Sequence, residues 1–281
     1  MQKADLHLHS NRSDGLLSPT KIVEQAAKQN LSAIALTDHD TVEGIDEAVN
    51  AGKRLGVLVV PGIEINTSAD NGELHILGYF IDRRNKRFTQ FLERLMMARQ
   101  DRVRKIIARL RRMGYEIEFE QVLSKAEEAS SIGRPHIARV MQEMSYVSSL
   151  GEAFEKHIGY GCPAYVERYR LLPAEAIELI KGGGGVPVLA HPGMLSSQIY
   201  IETCIEYGIQ GLEVYHSSHR DFQTEQFRDI ADRRGLIATG GSDSHGECGY
   251  DGVRLLGSVT VTYETVELLE RVSRDNRKTN Y

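Results

Sequence analysis

The chain has 281 residues, 41% of them hydrophobic, which is enough for one sizeable core without disulfide support. Its three cysteines, Cys162, Cys204 and Cys248, lie far apart with no Cys-x-x-Cys spacing, which argues against a disulfide scaffold or a cysteine zinc knuckle and for a reducing compartment. The formal net charge of −5 excludes a uniformly basic nucleic-acid coat. With no apolar run near the roughly 18 residues of a membrane span and no signal-peptide pattern, the expected setting is the cytoplasm, with no membrane and no protein partner.

The first predicted strand runs from Ala4 to Leu8 in "ADLHLHSNRSDG", where His7 and His9 stand two residues apart. Alternate side chains of a strand share a side, so the two imidazoles project together while Leu6 and Leu8 face a core. Such a pair either chelates a metal or is an ordinary strand carrying two polar residues, and the pair alone does not decide. Further β-type runs at 33–37, 57–60 and 74–80 are separated by helical stretches, with Ser18-Pro19 and Thr41 as helix starts. Strands alternating with helices predict parallel βα units.

Residues 82–161 read almost entirely as helix, apart from a short strand at 115–119, and form an inserted helical cap module between two barrel segments, 1–81 and 162–281. The module opens on a basic stretch: residues 83–112 hold 12 Lys or Arg and 2 acids, leaving 22 basic and 37 acidic residues elsewhere. That asymmetry points to a polyanionic partner. The helical spacing of Phe91, Leu95, Val103, Ile106, Ile107 and Leu110 fits an amphipathic helix with a solvated face equally well.

After a helix at "LLPAEAIELI", the "GGGG" of 182–185 reads as a helix-to-strand loop, because no Gly-Lys-Ser/Thr follows to make it a phosphate loop. The runs "VPVLAHPG", "GLEVYHSS", "GLIATGGSDSHG" and "LLGSVTVTY" then restore the βα rhythm, and the first three end in His, Asp or Ser. Polar residues at the carboxyl ends of successive parallel strands mark the active face of a barrel enzyme. The candidates there are His7, His9, Asp14, His39, Glu64, His75, His191, Asp243 and His245. Imidazoles and carboxylates without a thiolate suit Zn²⁺, Mn²⁺ or Fe²⁺ and exceed the needs of one ion. Two or three divalent ions, roughly 3.5–4 Å apart, clamp both oxygens of a phosphoryl displacement, so hydrolysis is the chemistry expected.

The segments "DLHLHSNRSDG", "LTDHDT", "PGIEI", "ELHILGY", "LAHPG", "GLEVYH" and "GGSDSHG" resemble the motifs of the polymerase-and-histidinol-phosphatase (PHP) family of metal-dependent phosphoesterases, over nearly the whole chain. "GRPHIARVM" resembles the bacterial branch that includes 3′,5′-nucleoside bisphosphate phosphatases and a 5′→3′ exoribonuclease. The resemblance implies an α/β fold, a distorted (βα)7 barrel of TIM-barrel type, with a trinuclear metal centre. It implies one ion at His7, His9, Glu64 and Asp243, a second at a bridging Glu64 with His75 and His191, and a third at Asp14, His39 and His245. A metal-bridging hydroxide would then attack a phosphate ester of a nucleotide or short oligonucleotide substrate. The alternatives are a histidinol-phosphatase-like phosphomonoesterase, an amidohydrolase-type C–N hydrolase and a non-catalytic PHP module.

Around the metals, Arg134 begins a predicted helix, where backbone N–H groups and the helix dipole favour an anion, and is expected to bind substrate phosphate and assist catalysis. His136 and Arg168 are further phosphate candidates. His216 ends a strand on the same face and is the candidate donor of a proton to the leaving group. Asp38 and Asp40 flank His39 as acceptors that would orient it, and His157 and His219 are expected to be structural.

Overall fold

A computed structural model describes residues 2–69, 72–125, 131–246 and 256–279; Cys248 lies outside them. Eight strands form one sheet: β1 (Lys3–Leu8), β2 (Ala33–Leu36), β3 (Leu58–Ala69), β4 (Gly72–Tyr79), β5 (Val186–Leu189), β6 (Gly211–His216), β7 (Ile237–Gly241) and β8 (Val261–Thr262), in the order β7-β6-β5-β4-β3-β2-β1-β8. The sheet curls until β1 meets the end of β7, where Asp243 N–H donates to His7 O (2.9 Å) and His9 N–H donates to Ser244 O (3.0 Å). The result is the expected distorted α/β barrel, nearly closed. Gly241 permits the closure, since a β-carbon there would stand 2.4 Å from His7 N.

Strands β1, β2 and β3 pair in parallel, as do β5, β6 and β7, but β4 is antiparallel to both β3 and β5. This corrects the expectation of βα units throughout. The strand expected at 57–60 runs on to Ala69, and only two residues separate it from β4, a connection too short for a parallel crossover. Ser18 caps α1 (Pro19–Lys28) through Lys21 N–H, as expected. Thr41 does not start a helix: its hydroxyl accepts Glu43 N–H in a local turn, and α2 (Ile45–Leu55) begins four residues later.

The helical stretch holds α3 (Lys86–Arg112), α4 (Phe119–Ser124), α5 (Arg134–Glu143) and α6 (Leu150–Ala153), followed by a π-turn at Phe154–Ile158. The strand expected at 115–119 is absent: this segment is irregular, with Ile117 buried among helices. Helix α3 joins two cores. Phe88, Leu92 and Leu95 pack with the barrel cluster, including Ile177 and Ile180 of α7 (Pro173–Gly182), whereas Val103, Ile106, Ile107 and Leu110 pack with Ile137, Met141 and Ala164. The basic side chains of this stretch are mostly engaged within the protein. Arg83, Arg87 and Arg111 pair with Asp46, Glu178 and Glu118, and Arg102 and Arg109 donate to the carbonyls of Val166 and Tyr165. The amphipathic-helix reading thus accounts for much of the basic stretch.

The GGGG segment ends α7 and leads into β5, with Gly184 in the left-handed region at φ 74°. The remaining helices are α8 (Ile199–Glu206), α9 (Asp221–Arg234) and α10 (Tyr263–Thr279). No helix among the described residues is long and apolar enough to cross a membrane.

Candidate metal centre

His7 is the penultimate residue of β1 and His9 follows the strand, and the alternation of the strand turns both rings to one point: their Nε2 atoms lie 3.4 and 3.3 Å from Glu64 Oε2, and 3.4 and 3.1 Å from Asp243 Oδ1. Glu64 lies within β3, where Asp38 O and Asp40 N pair with its backbone and bring the loop after β2 alongside. That pairing sets His39 Nδ1 3.0 Å from Glu64 Oε2. His75 Nδ1 from β4 and His191 Nε2 from the end of β5 lie 2.8 and 3.0 Å from Glu64 Oε1. Asp14 completes the group, with His245 Nε2 at 3.3 Å and His39 Nε2 at 3.8 Å.

All nine expected residues therefore meet on one face of the barrel, seven at or just after the carboxyl ends of parallel strands, with Glu64 inside β3 and His75 from the antiparallel β4. Ligand atoms of His9, Asp14, His39 and His245 lie within 4.8 Å of one another, as do those of His7, His9 and Asp243, and those of His39, Glu64 and His75. Three of the residues that shape these strand ends, Asp40, His191 and Asp243, have positive φ (55°, 27° and 53°), a strained conformation for residues bearing a β-carbon.

The electrostatics are those of a site built for cations. Burial raises the pKa of Glu64, but the facing imidazoles of His39, His75 and His7 overcome it and hold the carboxyl well below its usual range. Burial disfavours the His9 cation, yet the carboxylates of Asp243 and Glu64, 3.1 and 3.3 Å from its Nε2, lift its pKa to about 10, and Glu64 likewise lifts His75 to about 9. Burial dominates at His191, which falls to about 4. Nε2 of His7, both ring nitrogens of His9 and Oδ1 of Asp14 are buried and make no hydrogen bond. Metal ligands at about 2.1 Å from a shared ion stand about 3.0–3.4 Å from one another, which is the spacing of the His7 and His9 Nε2 atoms from the carboxylate oxygens. The donor set fits divalent cations.

Several supporting residues escaped the sequence reading. Glu213 of β6 is fully buried, with Oε1 2.9 Å from His7 Nδ1 and Oε2 accepting His191 N–H at 2.7 Å. An acid inside the apolar run "GLEVY" was its signal. Glu73, two residues from His75 on the same side of β4, accepts from Arg134 (2.9 Å) and Arg168 (3.0 Å), and was open to the same alternation argument. Buried Asp5 accepts Ser242 N–H and Oγ–H as well as Gly257 N–H; burial raises its pKa to about 6.

The flanking candidates are placed unequally. Arg134 and Arg168 line the same cleft as Asp14 and His39, together with Arg99 and Arg102. His136 does not line it: this buried ring caps α5 by accepting Gly133 N–H at its Nδ1, and burial lowers its pKa to about 4. His216 is buried, its Nε2 3.4 Å from Asp243 Oδ2 and its Nδ1 held by Ser218. Asp38 binds Ser10 and Ser13 and so fixes the loop before Asp14, whereas Asp40 accepts from Asn66, whose Nδ2 is 3.1 Å from His39 Nδ1. His219 accepts Gly193 N–H and stays a structural residue; His157 lies in the π-turn, its ring against Tyr115.

Known proteins resemble the chain in sequence and fold. A PHP domain model matches residues 5–159. The 3′,5′-nucleoside bisphosphate phosphatase of Chromobacterium violaceum is 34% identical over 258 residues, 89% of this chain and 90% of the relative. The 5′-3′ exoribonuclease of Haemophilus influenzae is 32% identical over 255 residues, 89% of this chain and 92% of its own length. A solved structure from Bifidobacterium adolescentis, assigned as a metal-dependent phosphoesterase, superposes with a TM-score of 0.88 at 31% identity and covers 96% of both chains. With its strand-end histidines and carboxylates, its nearly closed barrel and these matches, the chain belongs to the PHP domain family.

Proposed function

We propose that the chain is a metal-dependent phosphoesterase that hydrolyses phosphate esters of nucleotides, either 3′,5′-bisphosphates or short 5′-phosphorylated oligonucleotides. The observation that carries this reading is Glu64: one buried carboxylate with five imidazoles within 3.4 Å, from His7, His9, His39, His75 and His191. That geometry suits a carboxylate bridging two cations, one shared with His7, His9 and Asp243, the other with His75 and His191. Asp14, His39 and His245 would hold a third. The ions best matched are Mn²⁺, Zn²⁺ or Fe²⁺. When bound, such cations lower the pKa of water and offset charge on the phosphoryl oxygens.

The protein's own groups supply binding and order. Arg134 and Arg168 open on the cleft beside Asp14 and His39, and both can exchange Glu73 for phosphate oxygens in charge-assisted hydrogen bonds. The proposal rests on these two arginines and leaves His136 as a helix cap. His216 accepts Ser218 N–H at Nδ1, which leaves its Nε2 toward Asp243 Oδ2, 3.4 Å away. Free thiols at Cys162 and Cys204 fit a cytoplasmic enzyme.

The test is one purified, metal-replete sample offered adenosine 3′,5′-bisphosphate, histidinol phosphate, a 5′-phosphorylated RNA oligonucleotide and a dihydropyrimidine. Phosphate or mononucleotide release from the first or third, in preference to the others, is the expected result. Preferential turnover of the dihydropyrimidine would replace this reading with C–N hydrolysis, and preferential release from histidinol phosphate would remove nucleotides as the substrate class.

A further inference from the structure

His7 and His191 come from different strands, yet one buried carboxylate holds both. Glu213 Oε1 lies 2.9 Å from His7 Nδ1, and Glu213 Oε2 accepts the backbone N–H of His191 at 2.7 Å. Each bond has a directional consequence. An imidazole that donates its Nδ1 proton to a carboxylate keeps a lone pair at Nε2. That atom of His7 is buried, makes no hydrogen bond and faces Glu64 and Asp243, both at 3.4 Å.

His191 sits at φ 27° and ψ 60°, a backbone conformation that a side chain with a β-carbon adopts only when its surroundings enforce it. The bond from its N–H to Glu213 is such an enforcement, and the turn it holds places His191 Nε2 3.0 Å from Glu64 Oε1. Asp14 and His39 are steered separately: Asp38 fixes the loop before Asp14, and Asn66 stands against His39.

We propose that Glu213 is a positioning residue for the metal centre, a single carboxylate that sets the ring of His7 and the backbone of His191 so that both meet Glu64. This rests on the reading of His7, His191 and Glu64 as ligands. Glu213 thereby couples the two groups that share Glu64, whereas Asp38 and Asn66 support Asp14 and His39.

Glu213→Gln tests it, because the amide keeps the size of the side chain but retains one acceptor oxygen in place of two. Wild type and variant are equilibrated with Mn²⁺ or Zn²⁺ at buffered free concentrations, and bound metal per chain is counted; the melting temperature of each metal-free protein is measured alongside. Glu213→Gln is expected to need about 10–100-fold more free metal to fill the Glu64 positions, while retaining the ion of the Asp14 group. Tyr79→Phe is the control: it removes a buried hydroxyl that donates to Leu6 O at 2.9 Å, and should lower the melting temperature without moving the metal curve.

A Glu213→Gln curve that overlays wild type would overturn the inference and leave the phosphoesterase reading intact. So would equal shifts of the metal curve in both variants, which would make Glu213 merely structural. A wild type that binds neither metal would overturn both.

Discussion

Arg99 Nε lies 2.6 Å from Asp40 Oδ2, which ties the long helix α3 to the loop that carries His39. Asp40 in turn accepts Asn66 N–H and Nδ2–H, both at 3.0 Å, and Asn66 Nδ2 stands 3.1 Å from His39 Nδ1. Asp40 and Asn66 thus link α3 to the candidate metal ligand His39.

Arg99→Gln should expose that link. It leaves Asp40, whose side chain is 5% exposed, as a buried carboxylate without its counter-ion, at a cost of about 3 kcal/mol near neutral pH. Burial raises the pKa of Asp40, but Arg99 overcomes it and lowers the folded-state value, so its contribution is present above about pH 4 and fades as pH falls. Urea unfolding of both proteins should show a gap at pH 7 that narrows below pH 4. A constant gap would mean that Arg99 acts by packing rather than by charge.

Gly241→Ala attacks the barrel seam. The added β-carbon would stand 2.4 Å from His7 N and 2.5 Å from His7 Cβ, so β1 and β7 must separate. A loss of about 3 kcal/mol in unfolding free energy is expected, together with reduced metal content, because the bond from Asp243 N–H to His7 O breaks as the strands part. Wild-type stability in this variant would show that the seam can relax without cost.

Much of the centre was legible because strand alternation and strand-end polarity are local. His7 and His9 share a side by a two-residue period, and resemblance supplied Glu64 as the shared carboxylate. What was not legible depends on partners distant in sequence. The antiparallel β4 follows from a hairpin whose strand continued past a proline and a glycine, where local signals argue for a break. His136 sits in a helix start that was read as an anion site, but its own ring consumes the Gly133 N–H. Glu213 escaped notice because the atoms it serves are 206 and 22 residues away.

Arg134→Gln and Arg168→Gln should raise KM for adenosine 3′,5′-bisphosphate by about tenfold or more, since a charge-assisted hydrogen bond contributes about 1.5–3 kcal/mol. Metal content should not change, because neither side chain reaches the ligand group: both pair with Glu73. Steady-state kinetics with elemental analysis of the same samples checks this. Unaltered KM in both variants would return the arginines to a structural role.

Metal binding should strengthen with pH. In the metal-free protein His9 and His75, at about 10 and 9, hold protons at pH 7 that a cation must expel. Apparent affinity should therefore rise between pH 6 and 9, and adding metal to a weakly buffered sample at pH 7 should release protons. Titration of released protons against bound metal checks the sign; proton uptake on binding would contradict it.

The central claim, an active site whose ions share Glu64, is tested most directly by elemental analysis of active wild type beside Glu64→Ala and Asp14→Ala. Wild type should carry two or three divalent ions per chain, Asp14→Ala should lose chiefly one, and Glu64→Ala should lose two, with activity falling in step. Active wild-type enzyme free of bound transition metal, or a Glu64→Ala variant with the full complement of ions, would contradict it.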